Sequence, residues 1–194
     1  MTQCVRSGNS MIDEQIMTTW QTKDGRFLHI RPMQPDDAPL LVTIFEHMSS
    51  DSRYRRFHQS VDNLSAARVL EEAGEIAATV PDSGFGLIAL AGDMPVGVAR
   101  YVIFAEGRAE AAVSILDDYH NSGLGTRLVT LLAQEAQNRG IKQLTAEVQT
   151  SNEAALRVLE KLPFPGTQAL DGSIIQVEID LTADAGMNVR RKTV

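Results

Sequence analysis

The chain has 194 residues, 43% of them hydrophobic and 22% charged, which suits one domain with its own core. Eighteen Lys and Arg against 25 Asp and Glu leave a net charge of −7, so there is no cationic surplus of the kind a general nucleic-acid binder needs. The lone cysteine, Cys4, excludes an internal disulfide framework or a Cys-rich zinc site, and no apolar stretch approaches the ~18 residues of a membrane span.

Residues 1–24 mix polar residues and methionines without sustained periodicity and lack an apolar secretory core, so a loosely docked arm and a cytoplasmic protein are expected. The ordered domain is expected over 25–182, followed by a solvated tail at 183–194. Phe27, Leu28, His29, Ile30 and Arg31 read as a strand stopped by Pro32. Asp36 or Asp37 then caps a helix with Leu40, Leu41, Ile44, Phe45 and Met48 along one face. A second helix is expected over 64–73, ending at Gly74.

Two apolar runs, 85–91 and 96–104, flank Gly92-Asp93-Met94-Pro95 and predict a hairpin; Glu106 and Gly107 turn the chain into a third strand at 109–116. The apolar period then changes from about 2 to about 3.6 residues. Leu124, Leu128, Leu131, Leu132 and Ala136 form a helical stripe closed by Gly140. A strand at 141–149, a capping box at Thr150-Ser151-Asn152-Glu153, a helical face through Ala155, Leu156, Leu159 and Leu162, and a last strand within 174–181 complete an α+β (α/β) domain with a mixed sheet.

The chemistry is concentrated between Ala109 and Phe164. A strand ends near Leu116, a polar turn follows, and Gly123-Leu124-Gly125-Thr126 opens a helix. The first amides of a helix lack intrahelical acceptors, and glycines leave them unshielded, which suits a phosphate or pyrophosphate. Glycine also serves ordinary tight turns, so this feature alone leaves both readings open. Thr126-Arg127 do not supply the Lys-Ser/Thr pair of a Walker loop, and Leu128 stands where a dinucleotide fingerprint needs a third Gly or Ala.

His120-Asn121-Ser122-Gly123-Leu124-Gly125 resembles the Gln/Arg-x-x-Gly-x-Gly/Ala motif of the GCN5-related N-acetyltransferases (GNAT superfamily). The strand before it, the Arg139-Gly140-Ile141 helix exit, Asn152-Glu153-Ala154-Ala155 and Leu162-Pro163-Phe164 occur in the family's order, the last where Leu-Gly-Phe is usual. His29-Ile30-Arg31-Pro32, Asp36-Asp37-Ala38, Ser52-Arg53-Tyr54-Arg55-Arg56-Phe57 and Ala109-Glu110-Ala111-Ala112-Val113 resemble the bacterial protein-lysine acetyltransferase (Pat-like) group. The likeness runs from about Phe27 to Leu181. It implies a central mixed, mostly antiparallel sheet flanked by helices, with two strands splayed apart around acyl-CoA.

By this resemblance the backbone of Val113, Ser114 and Ile115 pairs with the pantetheine arm of acetyl-CoA. Backbone N–H groups of Asn121, Ser122, Gly123, Leu124, Gly125 and Thr126 cradle the pyrophosphate, and Asn152 contacts the cofactor from the next helix. The implied reaction is direct attack of a primary amine, on a protein lysine or a small molecule, upon acetyl-CoA in a ternary complex. An ammonium has no lone pair, so a base must take its proton; Glu110 matches the Pat-like catalytic glutamate. Many members place a thiolate-protonating tyrosine where this chain has Leu159, and none of Tyr54, Tyr101 or Tyr119 is assigned that role. The four histidines show no metal-ligand spacing, so no metal is expected. Neither nucleic acid nor membrane is an expected partner, and a homodimer is compatible with relatives that pair through sheet edges. The alternative reading is a non-catalytic acyl-CoA-binding sensor or interaction domain.

Overall fold

The apolar run at residues 85–91 forms an interior strand of a sheet, buried there on both faces. A computed structural model describes residues 18–78 and 83–183. Among these the strands are β1 (Thr18–Gln21), β2 (Phe27–Pro32), β3 (Gly84–Ala91), β4 (Met94–Ala105), β5 (Arg108–Ile115), β6 (Gln143–Gln149), β7 (Gly166–Asp171) and β8 (Ile174–Asp180). They make one sheet in the order β1-β2-β3-β4-β5-β6-β8-β7. Every neighbouring pair is antiparallel except β5 and β6.

The helices are α1 (Ala38–His47), α2 (Ser50–Phe57), α3 (Ala66–Ala77), α4 (Leu124–Asn138) and α5 (Glu153–Leu159). The α4 stripe forms as its spacing predicts: Leu124, Leu128, Leu132 and Ala136 are fully buried, with Leu131 partly so. It packs so closely on β4 that a Cβ at Gly97 would lie 3.2 Å from Leu124 Cδ2 and 3.3 Å from Leu128 Cδ1. Gly140 closes α4 with φ +82°, its N–H bonding to Gln137 and the Ile141 N–H to Ala136, the paired bonds of a Schellman stop. On the opposite face of the sheet, α2 and α3 come near Arg100, which alternates with the buried Ala99 and Tyr101.

Several boundaries differ from expectation for identifiable reasons. Thr18–Gln21 pairs with β2 as an edge strand, inside the segment expected to be a loose arm; residues 1–17, Cys4 among them, lie outside the described residues, as do 184–194 of the expected tail. α3 runs through Gly74 to Ala77, because Gly74 keeps helical backbone and Ser65 caps the other end by accepting from Arg68 N–H. α2 and β7 were not anticipated. Asn152, rather than Thr150, is the N-cap of α5, its Oδ1 accepting from Ala155 N–H at 3.1 Å. Asp37 stands at the N-cap of α1, yet its carboxylate turns back to Arg31 and to the Gln34 N–H.

Candidate active site

β5 and β6 are joined only at their starts. Arg108, Ala109 and Glu110 are paired with Gln143, Leu144 and Thr145, and no pairing follows. Beyond that point β5 stays with β4 as far as Ile115, while β6 stays with β8 along its whole length. The two halves of the sheet therefore diverge, and residues 111–115 present a strand edge with no strand beside it among the described residues. A cavity of about 600 Å³ fills the opening.

The glycine loop closes one end. Asn121 and Gly123 both take left-handed backbone, φ +58° and +94°, a conformation that Asn tolerates and Gly adopts freely. The buried Ser122 holds the turn: its Oγ donates to the Tyr119 carbonyl at 2.6 Å and accepts from Leu124 N–H at 3.3 Å. The first bond inside α4 is Arg127 N–H to Gly123 O, so the Gly125 and Thr126 amides precede the intrahelical ladder. A Cβ on Gly125 would lie 3.1 Å from Val158 Cγ2 and 3.2 Å from Ile115 Cδ1. Glycine there lets the helix start lie directly between β5 and α5.

Of the residues expected to hold a cofactor, Val113, Ser114, Ile115, Asn121, Gly123, Gly125, Thr126 and Asn152 line the cavity. Ser122 and Leu124 do not. The Ser122 hydroxyl is consumed within the turn, and the Leu124 side chain is fully buried over Gly97. One lone pair of the Ile115 carbonyl is already taken, by His120 Nε2–H at 3.0 Å. Asn152 spends its Oδ1 on the helix cap, which leaves its amide NH₂ as the polar group for the cavity.

Glu110 sits where pairing ends, opposite Val102 and exposed, and it lines the same cavity. Arg56 on α2 and Arg100 on β4 both act on it electrostatically. Burial pushes the Arg56 guanidinium down to about 10, with Arg100 adding to the effect and Glu110 opposing it, so Arg56 stays a cation at neutral pH. Glu147 also lines the cavity, and its carboxylate accepts from Gln176 Nε2 at 2.7 Å.

Sequence periodicity missed α2, which spans the mouth of the splay. Asp117, just past β5, accepts from the Ser49 N–H at 3.1 Å and from the Ser52 hydroxyl. From the other side Gln149 of β6 donates to the Tyr54 carbonyl at 3.3 Å. Burial would raise the Asp117 carboxyl, but the bonds from Ser52 and Ser49, helped by His120, hold it below its ordinary value. Of the three tyrosines only Tyr119 reaches the cavity. Tyr101 is fully buried elsewhere, its hydroxyl without a partner among the described residues, and burial pushes it up to about 12. Leu159 lines the cavity. Leu162 and Phe164 are buried on either side of Pro163, so the proline is accommodated in the turn.

The electrostatic lining inverts the sign of the whole protein. Five Lys and Arg side chains and two Glu border the cavity, in a chain with net charge −7. Arg55 and Arg157 are paired with Asp51 and Glu153 on their own helices. Among the described residues, no three His, Cys, Asp or Glu side chains gather as a metal site, and no helix is long and apolar enough to cross a membrane.

The chain matches the acetyltransferase (GNAT) domain model over residues 28–165. It is 29% identical over 152 residues to an acetyltransferase of Pseudomonas aeruginosa, covering 77% of this chain and 81% of that protein. It is 27% identical over 170 residues to the acetyltransferase Pat of Mycolicibacterium smegmatis, covering 83% of this chain but 48% of that relative, so it spans about half the Pat protein. In structure it resembles the GNAT domain of S. lividans PAT, with a TM-score of 0.76 at 24% identity over 86% of this chain and 97% of that one. It also resembles yncA of Salmonella typhimurium, solved with its cofactor acetyl-CoA, with a TM-score of 0.58 at 18% identity over 79% and 94% of the two chains. The splayed sheet is thus the GNAT fold, and the chain belongs to the acetyltransferase (GNAT) domain family, as an N-acetyltransferase.

Proposed function

We propose that the chain transfers the acetyl group of acetyl-CoA to a primary amine, on a protein lysine or a small molecule, by direct attack within a ternary complex. The observation that carries this reading is the separation of β5 from β6 beyond Glu110, with a glycine-opened helix start at one end of the gap. An unpaired strand edge offers backbone groups to an extended, amide-bearing ligand. In this reading the edge at Val113, Ser114 and Ile115 takes the pantetheine arm, the backbone across Asn121, Ser122, Gly123, Leu124, Gly125 and Thr126 takes the diphosphate, and Asn152 contacts the cofactor from α5. The cationic lining favours a polyanionic cofactor over a neutral one.

Glu110 is the general base. Its carboxylate accepts the proton of the acceptor ammonium, directly or through one water, and the freed amine lone pair attacks the thioester carbonyl. The tetrahedral intermediate collapses with loss of the CoA thiolate. Leu159 brings no proton donor, so the second proton of the attacking nitrogen, released as the amide forms, reaches the thiolate through water. The acceptor, a cytoplasmic setting and any pairing of chains belong to this proposal as well.

The test is a thermal shift with acetyl-CoA, CoA, ATP and NAD, followed by thiol release across an amine panel. A ligand specific to the folded state raises stability by about 2.7 kcal/mol at a hundredfold excess over its Kd. A rise confined to the CoA species supports the cofactor assignment, and no rise with them overturns it. Glu110→Gln should retain the fold and the shift while kcat falls about 100-fold or more; full turnover would remove Glu110 from the role. Leu159 in the cavity favours the second reading, an acyl-CoA sensor, which tight CoA binding without thiol release for any amine would support.

A further inference from the structure

The turn between β1 and β2 seats directly on the glycine loop. Lys23 N–H donates to the Ser122 carbonyl at 2.9 Å. Its side chain runs over the loop so closely that a Cβ on Gly123 would lie 3.4 Å from Lys23 Cε and 3.4 Å from Trp20 Cη2. The turn is held from within. The buried Thr22 Oγ1 accepts from Arg26 N–H at 2.9 Å, Gly25 N–H reaches the Thr22 carbonyl at 3.0 Å, and Gly25 takes φ +90°. It is also held from outside, because Arg26 donates to the Asp118 carbonyl at 2.8 Å and lays its guanidinium 3.8 Å from the Tyr119 ring centroid. Arg26 is therefore occupied, by Asp24 as well at 2.6 Å. Lys23 lines the cavity and has no ion-pair partner among the described residues.

His120 occupies the position where the GNAT motif carries Gln or Arg. Its Nε2–H is engaged by the Ile115 carbonyl at 3.0 Å, and Asp117 Oδ1 lies 3.6 Å away. The imidazole also lines the cavity, but its Nε2–H is spent on the end of β5 beside the Asp117 carboxylate.

We propose that the β1–β2 turn forms a wall of the cofactor site, and that Lys23 supplies the cationic contact to the CoA diphosphate that His120 does not. This inference rests on the acetyl-CoA reading above. An ammonium on a flexible stem behaves as a point charge, which suits a diphosphate lying across Gly123. The seated turn has already ordered the backbone of that lysine, so little of the turn needs to be arranged on binding.

Trp20 is the protein's one tryptophan and lies against Gly123, so its fluorescence reports the seating of the turn and occupancy of the loop. Titrations of wild type, Lys23→Met and Lys23→Arg with CoA, dephospho-CoA and pantetheine test the proposal. Lys23→Met should keep the wild-type melting temperature and apo emission while Kd rises about tenfold for CoA and dephospho-CoA alike. Pantetheine, which lacks the diphosphate, should bind both proteins equally, and Lys23→Arg should recover most of the loss. In turnover the change should appear as a higher KM for acetyl-CoA at unchanged kcat.

Equal CoA affinity in Lys23→Met and wild type overturns the proposal and leaves the acetyl-CoA reading standing. A deficit that vanishes with dephospho-CoA moves the contact to the 3′-phosphate and overturns the diphosphate assignment. A lowered melting temperature with shifted apo emission in both variants makes Lys23 a structural residue and likewise refutes it. Failure of wild type to bind any CoA species is a different result, which refutes the underlying reading itself.

Discussion

Replacing Asp37 by alanine should be among the more costly single changes outside the hydrophobic core. Asp37 is 5% exposed and receives both arms of the Arg31 guanidinium, each at 2.6 Å, together with the Gln34 N–H at 2.7 Å. Alanine leaves Arg31 with one weaker bond, to the Pro32 carbonyl at 3.0 Å, and leaves the Gln34 amide without this acceptor. Breaking a buried pair from one side costs about 3–5 kcal/mol, and the quarter-exposed Arg31 side chain recovers some hydration, so a loss of about 2–4 kcal/mol is expected. For a chain of this size that lowers Tm by about 5–12 °C. The pH dependence has a definite sign. Burial would raise the Asp37 carboxyl, but the bonds from Arg31 and Gln34 outweigh it and hold the group below its ordinary value. A lowered folded-state value means the pair's contribution is complete above the unfolded carboxylate value of about 4 and fades as pH falls through the folded one. Calorimetric melts of wild type and Asp37→Ala from neutral to acid pH should therefore converge as pH drops below about 4. A variant that melts within about 1 °C of wild type near pH 7, or a deficit that persists undiminished into acid, would refute this account.

Three further outcomes are expected, two at the site and one in the core. Gly123→Ala should destabilise the chain by about 1–2 kcal/mol, since alanine is strained at φ +94°, and should weaken CoA binding in an isothermal titration because the loop must shift. Asp117→Ala removes the acceptor shared by Ser49 N–H and the Ser52 hydroxyl; with the carboxylate partly exposed, a loss of about 1 kcal/mol is expected, together with faster hydrogen exchange along α2. Tyr101→Phe deletes a buried hydroxyl that has no partner among the described residues, so melting should show equal or greater stability, by about 1 kcal/mol, with CoA affinity unchanged.

The parts of the fold that were legible are those whose burial imposes a period. The strands near 85–105 could be placed because most of their residues are buried apolar ones, and the α4 stripe because one face of that helix is excluded from water. α2 escaped because its sequence, SDSRYRRF, buries no residue completely and so carries no apolar spacing; polar bonds to Asp117 and Gln149 hold it. β7 escaped for a related reason. It is an edge strand with five of six residues exposed, and its place is set by the backbone ladder with β8. Gly74 misled in the other direction. A glycine predicts a helix stop only where the chain needs left-handed backbone, as at Gly140 with φ +82°, and at Gly74 the helix continues.

The same distinction governs the site. The glycine-opened start of α4 was legible from glycine placement, because glycine marks where backbone is brought close to something else, here Val158 and Ile115 against Gly125. Which side chains face the opening was not, since the turn rather than the local sequence decides it. Ser122 folds inward to hold the turn and Leu124 is drawn into the core over Gly97, while His120 lines the opening with its Nε2–H spent on β5. A cation seated on the loop comes instead from Lys23, nearly a hundred residues earlier, across a contact that no local pattern encodes. Charge composition was likewise a poor guide at this scale. A net charge of −7 describes the exterior, whereas the cavity collects Lys23, Arg56 and Lys161 against Glu110 and Glu147. At an ionic strength near 0.15 M, screening over about 8 Å leaves the local set in control of a bound anion and reduces the distant acidic surface to a minor term. An acidic protein can therefore hold a polyanionic cofactor, provided its few cations converge where the sheet opens.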